Sequence, residues 1–113
     1  MTSEEMANFY DALDEGIEVL AHSDPRHAEV FRTMMEAFFV YLEREEKYGS
    51  NWKQFGWRGS IVQIMGKAQR IRSVFWRPHP EEIQNLDRDD LVDIINYAVF
   101  AICNLKNGNE YGA

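Results

Sequence analysis

Apolar residues in this chain recur at the three- and four-residue spacing of an α-helix in four stretches, and nowhere alternate in twos as a half-buried strand requires. The first stretch runs from Ser3 to about Ala21, with Phe9, Leu13, Ile17 and Leu20 on one stripe. Thr2 and Glu5 ahead of it have the spacing of a capping box. The second, 25–48, opens with Asp24 as N-cap and Pro25 at the first helical position. It continues through Phe31, Met34, Met35, Phe38, Phe39 and Leu42 and stops near Tyr48-Gly49. Its apolar residues cover more than one face, which suits either the centre of a bundle or a seam shared with another subunit. Residues 49–59 hold three glycines and three aromatics without period, and are expected to form a loop, packed if Trp52, Phe55 and Trp57 are buried. A third helix is expected over 60–76, carrying Ile61, Ile64, Ala68, Ile71 and Phe75 to a core and ended by Pro78 and Pro80. A fourth is expected over 87–106, with Leu91, Ile94, Ile95, Ala98, Ile102 and Leu105 inward and Asn107-Gly108 as its stop. The fold class is therefore all-α: a single domain over 1–113, built as a four-helix bundle.

Composition narrows what such a domain does. Apolar residues at 45% and charged residues at 27% are the balance of a globular protein. One cysteine, Cys103, excludes an internal disulfide and suits a reducing compartment. The first residues carry acids and no apolar stretch, so they do not read as a signal peptide. No run approaches the roughly 20 apolar residues of a membrane span. A cytoplasmic protein without membrane attachment is expected. The net charge of −7 argues against general nucleic-acid binding, where cations neutralise phosphates. Yet Arg44, Lys47, Lys53, Arg58, Lys67, Arg70, Arg72 and Arg77 crowd the middle of the chain. A basic middle inside an acidic protein fits a small phosphorylated ligand, or else a solvated basic face balancing its neighbours.

Asp89, Asp93 and Asn96, at i, i+4 and i+7, share one face of the fourth helix, with Asp90 just beside that line. Asp87, Asp89 and Asp90 are explained by the positive end of a helix dipole if the helix starts near Asp87. Asp93 is not: an interior aspartate between Val92 and Ile94 needs a basic side chain or a metal ion as partner. On the second helix Glu43 and Lys47 lie close in angle, with Glu46 three beyond Glu43. If the Glu43/Glu46 and Asp89/Asp93 faces converge, their oxygens make a site for a hard cation such as Mg²⁺. Lys67 and Arg70, at i and i+3, are placed to hold phosphate oxygens. Trp52, Phe55 and Trp57 could stack a base or simply pack the loop. His22, His27 and His79 lack ligand spacing and read as surface residues. Cys103 reads as core, and no phosphate-binding glycine loop or nucleophile-elbow motif occurs.

From Glu46 to Phe100 the chain resembles the small phage and prophage proteins with MazG-like or nucleotide-modification-associated domains, related to the all-α nucleoside triphosphate pyrophosphohydrolases. The resemblance rests on Lys47-Tyr48-Gly49 followed by Trp52, on Gly59, on Lys67 and Arg70 in IMGKAQRI, and on Asp89, Asp93, Asn96, Tyr97 and Ala98 in DLVDIINYA. It implies a four-helix fold, a homo-oligomer (dimer or tetramer), and Mg²⁺-dependent cleavage of a nucleoside triphosphate to monophosphate and pyrophosphate. Carried over by position, it makes Glu43, Glu46, Asp89 and Asp93 the metal-binding and catalytic set. Lys67 and Arg70 become phosphate-holding groups. Lys47, Trp52, Asn96 and Tyr97 join the substrate contacts. Two positions depart from the pattern: Asn85 stands where relatives carry a glutamate, with Glu81 and Glu82 displaced, and Gln63 where they often carry arginine. The alternatives are a non-catalytic protein that sequesters a nucleotide or cyclic nucleotide, a factor assisting phage base modification, and a helical interaction module whose charged pairs are salt bridges.

Overall fold

The computed structural model describes residues 1–49, 52–76 and 80–112, and the side chains of 80–87 lie outside that description. The readings made for Asn85, Glu81, Glu82 and His79 therefore fall outside the described residues. Four helices follow in order: α1 (Ser3–Ser23), α2 (Pro25–Tyr48), α3 (Gly56–Phe75) and α4 (Pro80–Lys106). Among the described residues there is no strand, and the fold is an all-α bundle.

The helix starts follow local chemistry at α1 and α2. Thr2 and Glu5 form the reciprocal capping box at α1, a device worth about 1 kcal/mol. At α2 the Asp24 carboxylate accepts the Arg26 N–H at 2.9 Å and also pairs with the Arg26 guanidinium. These contacts hold the Asp24 carboxyl below its usual range.

The other two helices start earlier than expected. α3 begins at Gly56 rather than Ser60, because its first free N–H groups find acceptors far away in sequence. Trp57 donates to the Asn109 carbonyl at 3.0 Å and Arg58 to the Glu110 carbonyl at 3.2 Å. α4 begins at Pro80 rather than Asp87; proline's fixed φ and missing N–H suit a first helical turn as well as they suit a break. Asp89 and Asp90 thus lie well inside the helix, beyond the reach of its dipole, which fades within the first turn.

The chain divides into two compact units, Met1–Glu36 and Ala37–Ala113. The first holds α1 and the start of α2, with Ile17 and Ala28 as its buried apolar residues. In the second, α3 packs along α4. The inward line of α3 is Ser60, Ile64, Lys67, Ile71 and Val74, with Ser60 fully buried and Val74 nearly so. That corrects the expected line: Ile61 is 39% exposed and Phe75 66%. On α4 the buried positions are Asp90, Asp93, Asn96, Ala101 and Asn104, whereas Leu91, Ile102 and Leu105 are about half exposed. Half of the apolar line expected inward thus lies open, while Ile94, Ile95 and Ala98 are partly covered. Asp90, Asp93, Asn96 and Asn104 turn inward, each to a partner within the second unit.

Candidate functional site: an ionic cluster beside an aromatic pocket

The inward face of α4 sets the site. Asp93, 7% exposed, sits where α3 and the second half of α2 both reach it. Its Oδ1 accepts from Arg44 Nη1 at 2.6 Å, and its Oδ2 lies 3.0 Å from Lys67 Nζ. One turn earlier, Asp90 stands 3.9 Å from Lys67 Nζ and 3.8 Å from Arg70 Nη1. Those separations are Coulombic contacts rather than hydrogen bonds. Burial pushes the Asp93 carboxyl up, but hydrogen bonds from Arg44 and Lys67, with their charges, outweigh it and hold the group below the usual aspartate range. Of the two kinds of partner open to the interior aspartate, a basic side chain or a metal ion, basic side chains hold it here.

Of the residues singled out by sequence, Asp93, Lys67 and Arg70 come together here. Asp90, placed just off the line, belongs to the cluster, whereas Asp89 is exposed. Glu43 and Glu46 are exposed on α2. Among the described residues no three Asp, Glu, His or Cys side chains converge as a metal ion would need. The donor set implied for Mg²⁺ is not assembled: both oxygens of Asp93 are occupied by cations, and its three intended companions point to solvent or stand apart. Arg44 was missed by the sequence reading as the principal partner of Asp93. Its position one residue after Glu43, on the helix already suspected, was the available signal.

Beside the cluster lies a cavity of about 220 Å³ walled by Tyr41, Tyr48, Trp52, Phe55, Tyr97 and Phe100. Its polar lining comes from Arg44, Glu45, Gln54 and Asn96. Tyr97 and Tyr41 each meet Phe100 edge-on, with ring centroids 5.8 and 5.6 Å apart, a geometry that aromatic quadrupoles favour. Burial, then a hydrogen bond to Glu45, pushes the Tyr41 phenol up to about 12. Tyr41 is therefore a neutral donor at any physiological pH. Asn96 Nδ2 donates to the Ala37 carbonyl at 3.0 Å, so this residue both ties α4 to α2 and lines the cavity. Lys47 lies instead on a shallow groove of α2 with Val40, Glu43, Arg44 and Tyr48, and its ammonium stands 5.5 Å from the Tyr48 ring. Trp52 and Phe55 are in the cavity wall, while Trp57 lies outside it in the first turn of α3, its N–H held by the Asn109 carbonyl. His22 and His27 are at the surface.

Fold and site together define an all-helical domain in which buried acid–base pairs border an aromatic cavity. Residues 44–105 match the family model described as nucleotide modification associated domain 1, a span that takes in the cluster and the cavity lining apart from Tyr41. The chain belongs to that family. No curated protein and no solved structure matches it. No described helix is long and apolar enough to cross a membrane.

Proposed function

We propose that this chain binds a nucleotide, its base in the aromatic cavity and its phosphates toward Arg44. The observation that carries the reading is Arg44 itself: it lines the cavity and is also the hydrogen-bond partner of Asp93. Its side chain is half exposed, so it presents a cation to an incoming anion while its other end stays anchored. Aromatic walls accept the face of any base, and Asn96, Gln54 and Glu45 supply the polar edge that would discriminate among bases. Lys67 and Arg70, set against Asp93 and Asp90, offset those charges and keep the neighbourhood from becoming anionic. Membership of a nucleotide-associated family supports the same ligand class.

Cleavage of a triphosphate is a second reading, favoured by the Asp89/Asp93 spacing within a chain of this family. It would require Arg44 and Lys67 to release Asp93, so the arrangement seen here favours binding without cleavage. The reading extends to a cytoplasmic homo-oligomer serving nucleotide metabolism in a phage or prophage setting. The exposed apolar residues Val62, Met65, Leu91, Ile102 and Leu105 support the oligomer.

The test is titration of the purified protein with each (deoxy)nucleoside triphosphate and monophosphate by calorimetry, with and without Mg²⁺, followed by anion-exchange separation of the products. Saturable binding of intact nucleotide, weakened by Tyr97→Ala, is the expected result. Monophosphate and pyrophosphate appearing only with Mg²⁺ would instead establish the hydrolase. No heat and no product with any nucleotide would sink both.

A further inference from the structure

After α4 the chain turns at Gly108, whose φ of 66° places it in the left-handed region, and runs back over the start of α3. Asn104, fully buried, donates from Nδ2 to the Trp52 carbonyl at 2.7 Å. Asn109 donates from Nδ2 to the Lys53 carbonyl and to Asn104 Oδ1, both at 2.9 Å. Its own Oδ1 accepts the Gly112 N–H at 3.0 Å. The two side-chain amides thus hold the backbone of two consecutive residues, Trp52 and Lys53, at the start of the strip that forms one wall of the cavity. Gly112 closes the arrangement: a side chain there would overlap the Gln54 carbonyl, and its φ of 118° favours glycine. Arg58 adds an outer tie, pairing with Glu110 while its guanidinium lies 5.6 Å from the Tyr111 ring.

We propose that Asn104 and Asn109 are positioning residues for the cavity wall: they fix the 52–55 strip through backbone carbonyls, and so set where Trp52 and Phe55 meet a bound base. The strip lies outside the helices, and its own turn adds one long hydrogen bond, from the Gly56 N–H to the Lys53 carbonyl at 3.4 Å. Without the two amides the Trp52 carbonyl would turn to water and the Lys53 carbonyl would keep only that bond, loosening the aromatic wall. The effect on affinity rests on the nucleotide-binding reading; the hold on the strip does not.

Asn109→Ala and Gly112→Ala, with Val74→Ala as a control of comparable stability loss on the far part of α3, separate these points. The first readout is the rate of tryptic cleavage after Lys53 in the folded protein, which needs no ligand. Both latch variants should raise that rate about tenfold, the scale of one or two lost hydrogen bonds, while Val74→Ala leaves it near the unaltered protein's. The second readout is affinity for the nucleotide that the unaltered protein binds most tightly, expected to fall about tenfold in Asn109→Ala and to hold in the control. An unchanged cleavage rate in both latch variants overturns the proposal, as does a control that matches them. Faster cleavage with unchanged affinity overturns the positioning role. If the unaltered protein binds no nucleotide, the functional reading fails, and the cleavage rates still decide whether the two amides hold the strip.

Discussion

Arg44 and Asp93, 49 positions apart in sequence, meet at 2.6 Å across the second unit, and Lys67 occupies the other carboxylate oxygen. Asp93 is nearly inaccessible and Lys67 largely covered, whereas half of Arg44 faces solvent. The pairing is therefore asymmetric: one cation is committed to the acid and the other can also serve a ligand.

Removing the acid should hurt more than removing the exposed cation. Asp93→Asn takes the close carboxylate from both Arg44 and Lys67 and leaves the largely covered Lys67 only the longer contact to Asp90; a loss of about 3 kcal/mol, the low end for broken buried pairs, is expected. Arg44→Met keeps the stem and loses a half-exposed partner, so about 1 kcal/mol is expected once solvent screening is allowed for. Equilibrium urea unfolding of both variants checks the order. Equal losses would mean that the Arg44 pair is as dry as the Lys67 pair.

Acid should weaken the second unit through the same residue. The Asp93 carboxyl is held below its ordinary value in the folded chain, and an aspartate in the unfolded chain titrates near ~3.9. Its contribution is thus present above about pH 4 and is lost as pH falls through the lowered folded value, where the folded state must take up a proton it disfavours. Unfolding free energies from pH 7 down to 2 should show this slope, and Asp93→Asn should flatten it. A slope identical in the variant would assign the acid sensitivity to other carboxylates.

Asn96→Ala should cost stability as well as affinity. It deletes the amide that ties α4 to the Ala37 carbonyl of α2, and losing one such bond costs about 1 kcal/mol, since the carbonyl keeps its donor within the helix. Thermal unfolding beside nucleotide titration measures the two effects separately.

Of the five tyrosines in the chain, Tyr41 should ionise near pH 12. Absorbance at the phenolate band during alkaline titration should therefore show a late step, absent in Tyr41→Phe. A Tyr41→Phe protein that keeps the late step would place the buried phenol elsewhere. Bound nucleotide in the cavity should delay the step further, since it deepens burial.

Much of this architecture was legible in the residue order. Helix starts written in local side-chain chemistry, Thr2/Glu5 and Asp24-Pro25, were readable because their partners lie within four residues. The demand that Asp93 have a partner was readable too, since a charge between Val92 and Ile94 carries that requirement wherever it folds. The partner itself was not, because Arg44 and Lys67 reach it through the packing of three helices. The start of α3 escaped for the same reason, its N–H groups being satisfied by Asn109 and Glu110. Half of the apolar line expected inward on α4 stays open, because apolar periodicity marks a face to be covered without saying which neighbour covers it. Leu91, Ile102 and Leu105 remain open in the single chain, while Asn96 and Asn104 turn inward to carbonyls on α2 and at Trp52.

The tie between Trp57 and Asn109 has a consequence for the order in which the chain assembles. The first N–H groups of α3 draw their acceptors from residues that follow α4, so until α4 has docked and the chain has turned at Gly108 they are left to water and the first turn lacks that hold. Loop closure over that distance is slow compared with growth of a helix from its own middle. The body of α3 should therefore form early and its N-terminal turn last, and in pulse-labelled amide exchange Trp57 and Arg58 should gain protection after Ile64 and Ile71. Simultaneous protection would mean that the segment beyond α4 arrives with the nucleus rather than after it.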